Sequence, residues 1–251
     1  MTDCVLDMNH RETPSELFSR IVFDKYKELK DAEPARKYLG GSRIGFPCAR
    51  ALQFEYTHTP KDPYKGFSGN LYSIFQRGHW AEDHTIALML QAGFTVLNEK
   101  PGGGQFGFSL MNGRIKGHCD GIVTAGPEGL GPYPFLFEHK AVGDSSWRKF
   151  AKDGVKKTSG EYHGQIVVYQ HQLELTDNPA MFVVLNANTM AYHVERVPFE
   201  PDVCQELYDK AHRIITCSEA GELLPRIAKD ESHYICKSKC SYAERCFSLP
   251  Y

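Results

Sequence analysis

The feature that most restricts what this chain can fold into is the run CKSKCSYAERC near its C-terminus, which carries Cys236, Cys240 and Cys246. Three soft sulfur ligands this close together suit a metal or cluster site. Tetrahedral closure needs a fourth ligand, so the fold must bring a distant segment to the tail. Cys48, in GSRIGFPCARALQFEY, is the first candidate, at the start of a short helix expected over 47–57 that opens with Pro47. Cys4 and His233 are alternatives. Zinc and a [4Fe–4S] cluster both accept four thiolates, and spacing does not separate them. Cys119, Cys204 and Cys217 read as small buried hydrophobes.

Disulfides are not expected. The opening MTDCVLDMNHRETPSE is polar and acidic, without the basic and apolar regions of a secretion signal, so a cytoplasmic location is expected. The chain has 251 residues, 41% hydrophobic and 24% charged, which fits one globular domain. No apolar window is long enough to predict a membrane span. A net charge of −2 argues against a surface coated in positive charge, but not against a local basic groove.

Apolar periodicity predicts helices over 14–30, 47–57, 70–92, 161–175 and 201–220, the third ending at Gly93. Strand-like runs cover 94–98, 105–110, 114–123, 134–142, 181–187 and 190–197. Turn chemistry in GPEGLGPYP predicts antiparallel pairing of 114–123 with 134–142. A second hairpin is expected around Asn188-Thr189. This order predicts an α/β domain, a mixed sheet flanked by helices. Residues 1–41 form a helical extension, 42–230 the core and 231–251 the cysteine-rich segment.

Four patterns carry chemistry. In Glu138-His139-Lys140, strand alternation puts the carboxylate and the ammonium on one face. Such a pair suits metal-dependent phosphodiester hydrolysis, in which a carboxylate holds a hard cation and a lysine supports the developing charge. An ordinary solvated strand face would carry the same pair, as Glu28 and Lys30 do on a helix. In GHCDG, His118 and Asp120 share a face, and the hairpin can bring Asp120 beside Glu138. On the 70–92 helix, Leu71, Phe75, Gly78, Glu82, Ile86 and Met89 form one stripe, which places Glu82 among apolar residues. A buried carboxylate is costly unless paired or metal-bound. Gly78 would let a phosphate approach, and His79 and His84 flank Glu82. Lastly, Gln165 and Tyr169 lie one helical turn apart. Between these motifs, Arg148, Lys149, Lys152, Lys156 and Lys157 stand beside Trp147 and Phe150. Basic charge interleaved with aromatics suits a nucleic-acid strand.

Taken in order, Cys48, Gly78-x3-Glu82, Gly117-His118-x-Asp120, Glu138-x-Lys140, Gln165-x3-Tyr169 and the terminal cysteines resemble the RecB-like branch of the PD-(D/E)XK nuclease superfamily. Within it, the chain is similar to the iron–sulfur nucleases: CRISPR-associated four-cysteine exonucleases, AddB-type nuclease domains and phage-encoded relatives. The resemblance spans residues 42 to 246. It implies a restriction-endonuclease-like core and DNA hydrolysis with Mg²⁺ or Mn²⁺, most simply by an exonuclease on single strands or duplex ends. It implies that Asp120, Glu138 and the main-chain carbonyl of His139 bind metal, with Lys140 catalytic and Gln165 and Tyr169 as the helix motif. Many members carry His where Glu82 stands, so Glu82 is taken as the first-helix ligand and His79 as the reserve. Cys48, Cys236, Cys240 and Cys246 would hold a structural [4Fe–4S] cluster. The family usually spaces its first two C-terminal cysteines by two residues rather than three, which keeps Zn²⁺ as the alternative. DNA is the implied substrate, with a recombination, helicase or CRISPR-adaptation partner on a separate chain, and oligomers occur in the superfamily. The rival readings are a non-catalytic DNA-binding module on the same fold and a zinc-stapled hydrolase.

Overall fold

Residues 11–63 and 65–249 are described in the computed structural model of the chain. They form two compact units. One comprises residues up to 34 with 67–76, the other 35–66 with 77 onward.

The small unit contains helix α1 (Pro14–Asp31). A reciprocal capping box starts it: the Thr13 hydroxyl accepts the Glu16 N–H at 3.3 Å, and the Glu16 carboxylate accepts the Thr13 N–H at 2.8 Å. No residue of α1 is buried, so its apolar positions Leu17, Ile21 and Leu29 stay exposed. Tyr26, Phe67, Tyr72 and Phe75 make an edge-to-face cluster with centroids 5.4–6.5 Å apart.

In the large unit, β1 (Leu39–Gly40) leads to α2 (Ala49–Tyr56). Helix α3 (Gly69–Gln91) begins in the small unit and continues into the large one. It ends in a Schellman motif: Gly93 has φ +90°, Phe94 N–H donates to the Met89 carbonyl and Gly93 N–H to that of Leu90. Then follow β2 (Thr95–Leu97), β3 (Gly107–Leu110), β4 (Ile115–His118), β5 (Gly121–Ala125) and β6 (Phe135–Val142). Next come α4 (Asp144–Thr158), α5 (Gly160–Gln172), β7 (Ala180–Asn186), β8 (Tyr192–Val197), α6 (Pro201–Glu219), α7 (Tyr234–Lys239) and α8 (Ala243–Ser248).

The strands form two mixed sheets rather than the single one expected, in the orders β1-β4-β3 and β2-β5-β6-β7-β8. The only parallel pair within the larger sheet is β6 with β7, whose crossover carries α4 and α5. Two cores lie on its faces. Leu136, Phe182 and Val184 face α5 and α6 through Ile166, Ala211 and Ile214. Phe135, Phe137, Met181 and Val183 pack with Ile86 of α3. This two-sided burial explains why β6 and β7 read as nearly continuous apolar runs.

Two expectations need correcting, and one segment gains an assignment. The run 114–123 is two strands in different sheets, broken at Cys119-Asp120. His118 therefore ends β4 exposed, and does not share a strand face with Asp120. Residues 35–41, assigned to the N-terminal extension, include β1, which pairs parallel with β4. The basic segment after Lys140 is helical, with a break at Gly154 (φ +72°). Among the described residues, no helix is long and apolar enough to cross a membrane.

Candidate functional site

The break at Cys119-Asp120 builds the site. Because Gly121 pairs with Phe137, Asp120 arrives beside the middle of β6. Its Oδ2 accepts the main-chain N–H of His139 at 2.8 Å. Glu138 is 0% exposed on the α5 side of β6. Its Oε1 accepts two donors, Lys140 Nζ at 2.5 Å and Gln165 Nε2 of α5 at 2.6 Å. Lys140 also donates to the His139 carbonyl at 2.9 Å and lies 3.8 Å from Asp120 Oδ2. Glu82, on α3, completes the group with its side chain largely buried.

The carboxylates outnumber the one ammonium, and the imbalance shows in the protonation of Glu82 and Glu138. Burial first, then Asp120 and Glu138, push Glu82 up to about 8 against the pull of Lys140. Burial and Asp120 likewise drive Glu138 upward. Burial alone would lower Lys140, but Glu138 and Asp120 hold it well above its ordinary value. Glu138 Oε2 is buried without any hydrogen-bond partner. A buried carboxylate oxygen left bare is expensive, and a cation is the natural group to meet it. Asp120, Glu138, Glu82 and the His139 carbonyl are all oxygen donors, the set a hard divalent cation prefers, so these residues fit such an ion. Among the described residues, no three His, Cys, Asp or Glu side chains stand at metal-ligand spacing.

Other predicted residues are placed as follows. Tyr169 is 2% exposed and stacks edge-on against Phe108 at 5.2 Å, so it supports the site from within and does not reach a DNA strand. His79 is 71% exposed and 4.0 Å from Glu82. A methyl group at Gly78 would meet nothing, so no close packing accounts for that glycine. The indole N–H of Trp147 donates to the Val184 carbonyl at 3.1 Å, anchoring α4 to β7 rather than facing a ligand. Arg148 pairs with Asp144, Lys156 with Glu200 and Lys157 with Asp153. Lys149 and Lys152 are exposed.

Two participants escaped sequence reasoning. Tyr162 of α5 lies 5.4 Å from Lys140 Nζ at its ring centre, one turn before Gln165. The His139 ring, on the opposite face of β6 from Glu138, bonds Thr85 Oγ1 at 3.1 Å, and Thr85 bonds the Tyr192 hydroxyl at 3.2 Å. This relay ties the helix carrying Glu82 to the strand carrying Glu138. The spacing of Tyr162 from Gln165 could have singled it out; nothing local marks Thr85.

The cysteines meet at a second place. Cys48 immediately precedes α2 without a side-chain capping bond, Cys236 lies on α7, Cys240 follows it and Cys246 lies on α8. All four line one cavity with Ala51, Phe54 and Arg226. The tail is fastened there by Asp62, whose carboxylate accepts the Glu244 and Arg245 N–H groups at 2.9 and 3.1 Å. Burial pushes Cys236 up and Cys240 up to about 11, so both are neutral thiols without a bound cation. His233 caps α7 through Nδ1, 3.3 Å from the Ile235 N–H, and Cys4 lies outside the described residues. Cys119 and Cys204 are buried as small apolar groups, while Cys217 is half-buried.

No protein-family model matches the chain, and no curated protein matches it in sequence. Among solved structures it is similar to LHK-Exo in complex with dAMP, at 16% identity and a TM-score of 0.50, over 74% of this chain and 89% of that one. A second structure of LHK-Exo, an alkaline exonuclease from Laribacter hongkongensis, gives 17% and 0.49 over 74% and 90%. SSO0001 gives 10% and 0.48 over 91% and 96%. At such identities the likeness to LHK-Exo is one of fold: a mixed α/β arrangement with sheets flanked by helices.

Proposed function

We propose that this chain is a divalent-metal-dependent DNA nuclease with a restriction-endonuclease-like core, acting as an exonuclease on single strands or duplex ends. The observation that carries the reading is the bare, fully buried Glu138 Oε2 beside Asp120 and Lys140, with Glu82 near enough to feel their charges. The fold likeness to an exonuclease solved with a deoxynucleoside monophosphate supports it. Asp120, Glu138, Glu82 and the His139 carbonyl would hold Mg²⁺ or Mn²⁺. When bound, such an ion neutralises phosphate charge and makes water acidic enough to attack. The chain's own residues do the rest. Gln165 fixes the Glu138 carboxylate by its 2.6 Å hydrogen bond. The His139 N–H fixes Asp120. Lys140, held protonated by its acidic neighbours, supplies positive charge where a phosphate oxygen becomes more negative.

The second part of the proposal is that Cys48, Cys236, Cys240 and Cys246 hold a structural metal centre, a [4Fe–4S] cluster in the first reading and Zn²⁺ in the second. Four sulfurs lining one cavity support it. Iron, sulfide and zinc content of anaerobically purified protein decides between them.

The nuclease reading is tested with end-labelled single- and double-stranded DNA in Mg²⁺, Mn²⁺ or EDTA. Cation-dependent degradation that falls on the order of 100- to 1,000-fold in Lys140→Ala is expected, the scale for losing one charge-stabilising group. Folded, cation-supplied protein that binds DNA equally with or without Lys140 and never cuts it would move the assignment to the binding module.

A further inference from the structure

The largest fully buried side chain among the described residues is a charged one. Arg50, on the first turn of α2, is 1% exposed. A guanidinium keeps its charge in proteins, and burying one without a counter-charge is costly. Arg43 illustrates the ordinary remedy, pairing with both Glu55 and Glu161. Arg50 pairs with no carboxylate among the described residues. Its Nε donates to the Leu224 carbonyl, and its Nη1 donates to the Cys246 sulfur at 3.8 Å.

A neutral thiol is a weak acceptor and offers the guanidinium no compensating charge. Four thiolates around a dipositive zinc or iron–sulfur core, in contrast, leave that centre with two negative charges. Arg226 approaches the same point from the main-chain side, its Nε donating to the Cys246 carbonyl at 3.1 Å. Cys246 is thus held by one arginine at its sulfur and by another at its carbonyl.

We infer that Arg50 is the built-in counter-charge of an anionic four-thiolate centre, a positioning residue that holds the Cys246 sulfur and balances the charge of the occupied site. This rests on the cysteine quartet binding a metal centre and is independent of whether the acidic site cuts DNA. It explains why a cation is buried two residues after Cys48 with no acid beside it. It also sets a direction: if the occupant is an iron–sulfur cluster, the nearby positive charge favours the more negative, reduced state. Removing it moves the midpoint potential downward.

The test compares the full-length wild-type chain with Arg50→Met and Arg50→Lys, all purified anaerobically with iron and zinc supplied. Metal content, the rate of metal loss to EDTA and, for an iron form, the midpoint potential are read. Arg50→Met should lose metal at least about tenfold faster, the usual scale for a partner of a ligand, and an iron form should shift to a lower potential. Arg50→Lys, which keeps the charge, should stay near wild type. It carries the test alone if the methionine variant does not fold. Arg50→Met with wild-type retention and potential, or Arg50→Lys as leaky as Arg50→Met, would overturn the inference. Wild-type protein holding neither iron nor zinc would instead overturn the reading of the cysteine site itself.

Discussion

At the scale of single residues, the acidic group makes a prediction about pH. The folded protein holds Glu82 near 8, far above an unfolded glutamate, chiefly because it is buried. Without a bound cation the folded state therefore binds a proton that the unfolded chain has released. The stability linked to Glu82 is fully present below the unfolded value and is lost as pH rises toward about 8. A divalent cation must displace that proton. Its affinity should accordingly tighten as pH rises from 6 to 8, and Glu82→Gln should flatten the profile. Mn²⁺ titration followed by electron paramagnetic resonance, together with thermal melts with and without the ion, checks both signs. An affinity that does not change with pH would remove Glu82 from the ligand set. Glu138 and Lys140 were legible in the sequence because strand alternation dictates which side chains share a face, and Glu82 because the helical repeat does. Thr85 and Arg50 were not, since each matters only for the neighbour that tertiary packing brings to it, and Tyr162 had only its spacing from Gln165 to mark it.

At the scale of elements, one close approach seats the helix that carries Gln165. The chain before α2 crosses the start of α5 so tightly that a methyl group at Gly45 would come within 2.6 Å of the Gly160 carbonyl and 2.7 Å of the Glu161 backbone. These are backbone atoms with no freedom to turn aside. Gly45→Ala should therefore cost about 1–3 kcal/mol, the usual scale of overpacking, and lower the melting temperature by several degrees. It should also weaken the proposed nuclease activity by displacing Gln165 from Glu138. Gly78→Ala, where a methyl meets open space, serves as the control. Equal melting temperatures for the two variants would contradict the close approach. Four of the five expected helices were readable to within two residues, because caps and the Gly93 terminator are local signals. The break between β4 and β5 was not. Apart from the turn residues Asp120-Gly121 the run RIKGHCDGIV is strand-like, and the different partners of its halves, β3 for one and β6 for the other, divide it.

For the molecule as a whole, the cysteine site joins residue 48 to the tail and so closes most of the large unit into a loop. Metal binding at such a site is folding free energy. Cys48→Ser and Cys246→Ser should each lower the melting temperature and expose residues 224–249 to limited proteolysis, with loss of bound metal. Cys119→Ser, buried but not lining the cysteine cavity, should destabilise the protein without changing metal content. Metal content that survives Cys48→Ser would remove Cys48 from the ligand set and leave the tail closed by some other group.

The sequence alone determined the residue types able to do chemistry, and which of them share a strand or helix face. Periodicity and spacing are properties of one segment at a time. The tertiary structure decided which segments meet. It turned the chain at Cys119-Asp120 so that a carboxylate reaches the middle of β6, and it left one oxygen of Glu138 bare. It paired three of the five basic residues after Lys140 with acids, one of them, Glu200, far along the chain. It also buried a guanidinium against a sulfur. Burial and charge balance depend on everything packed around a group, and no stretch of sequence carries that information by itself.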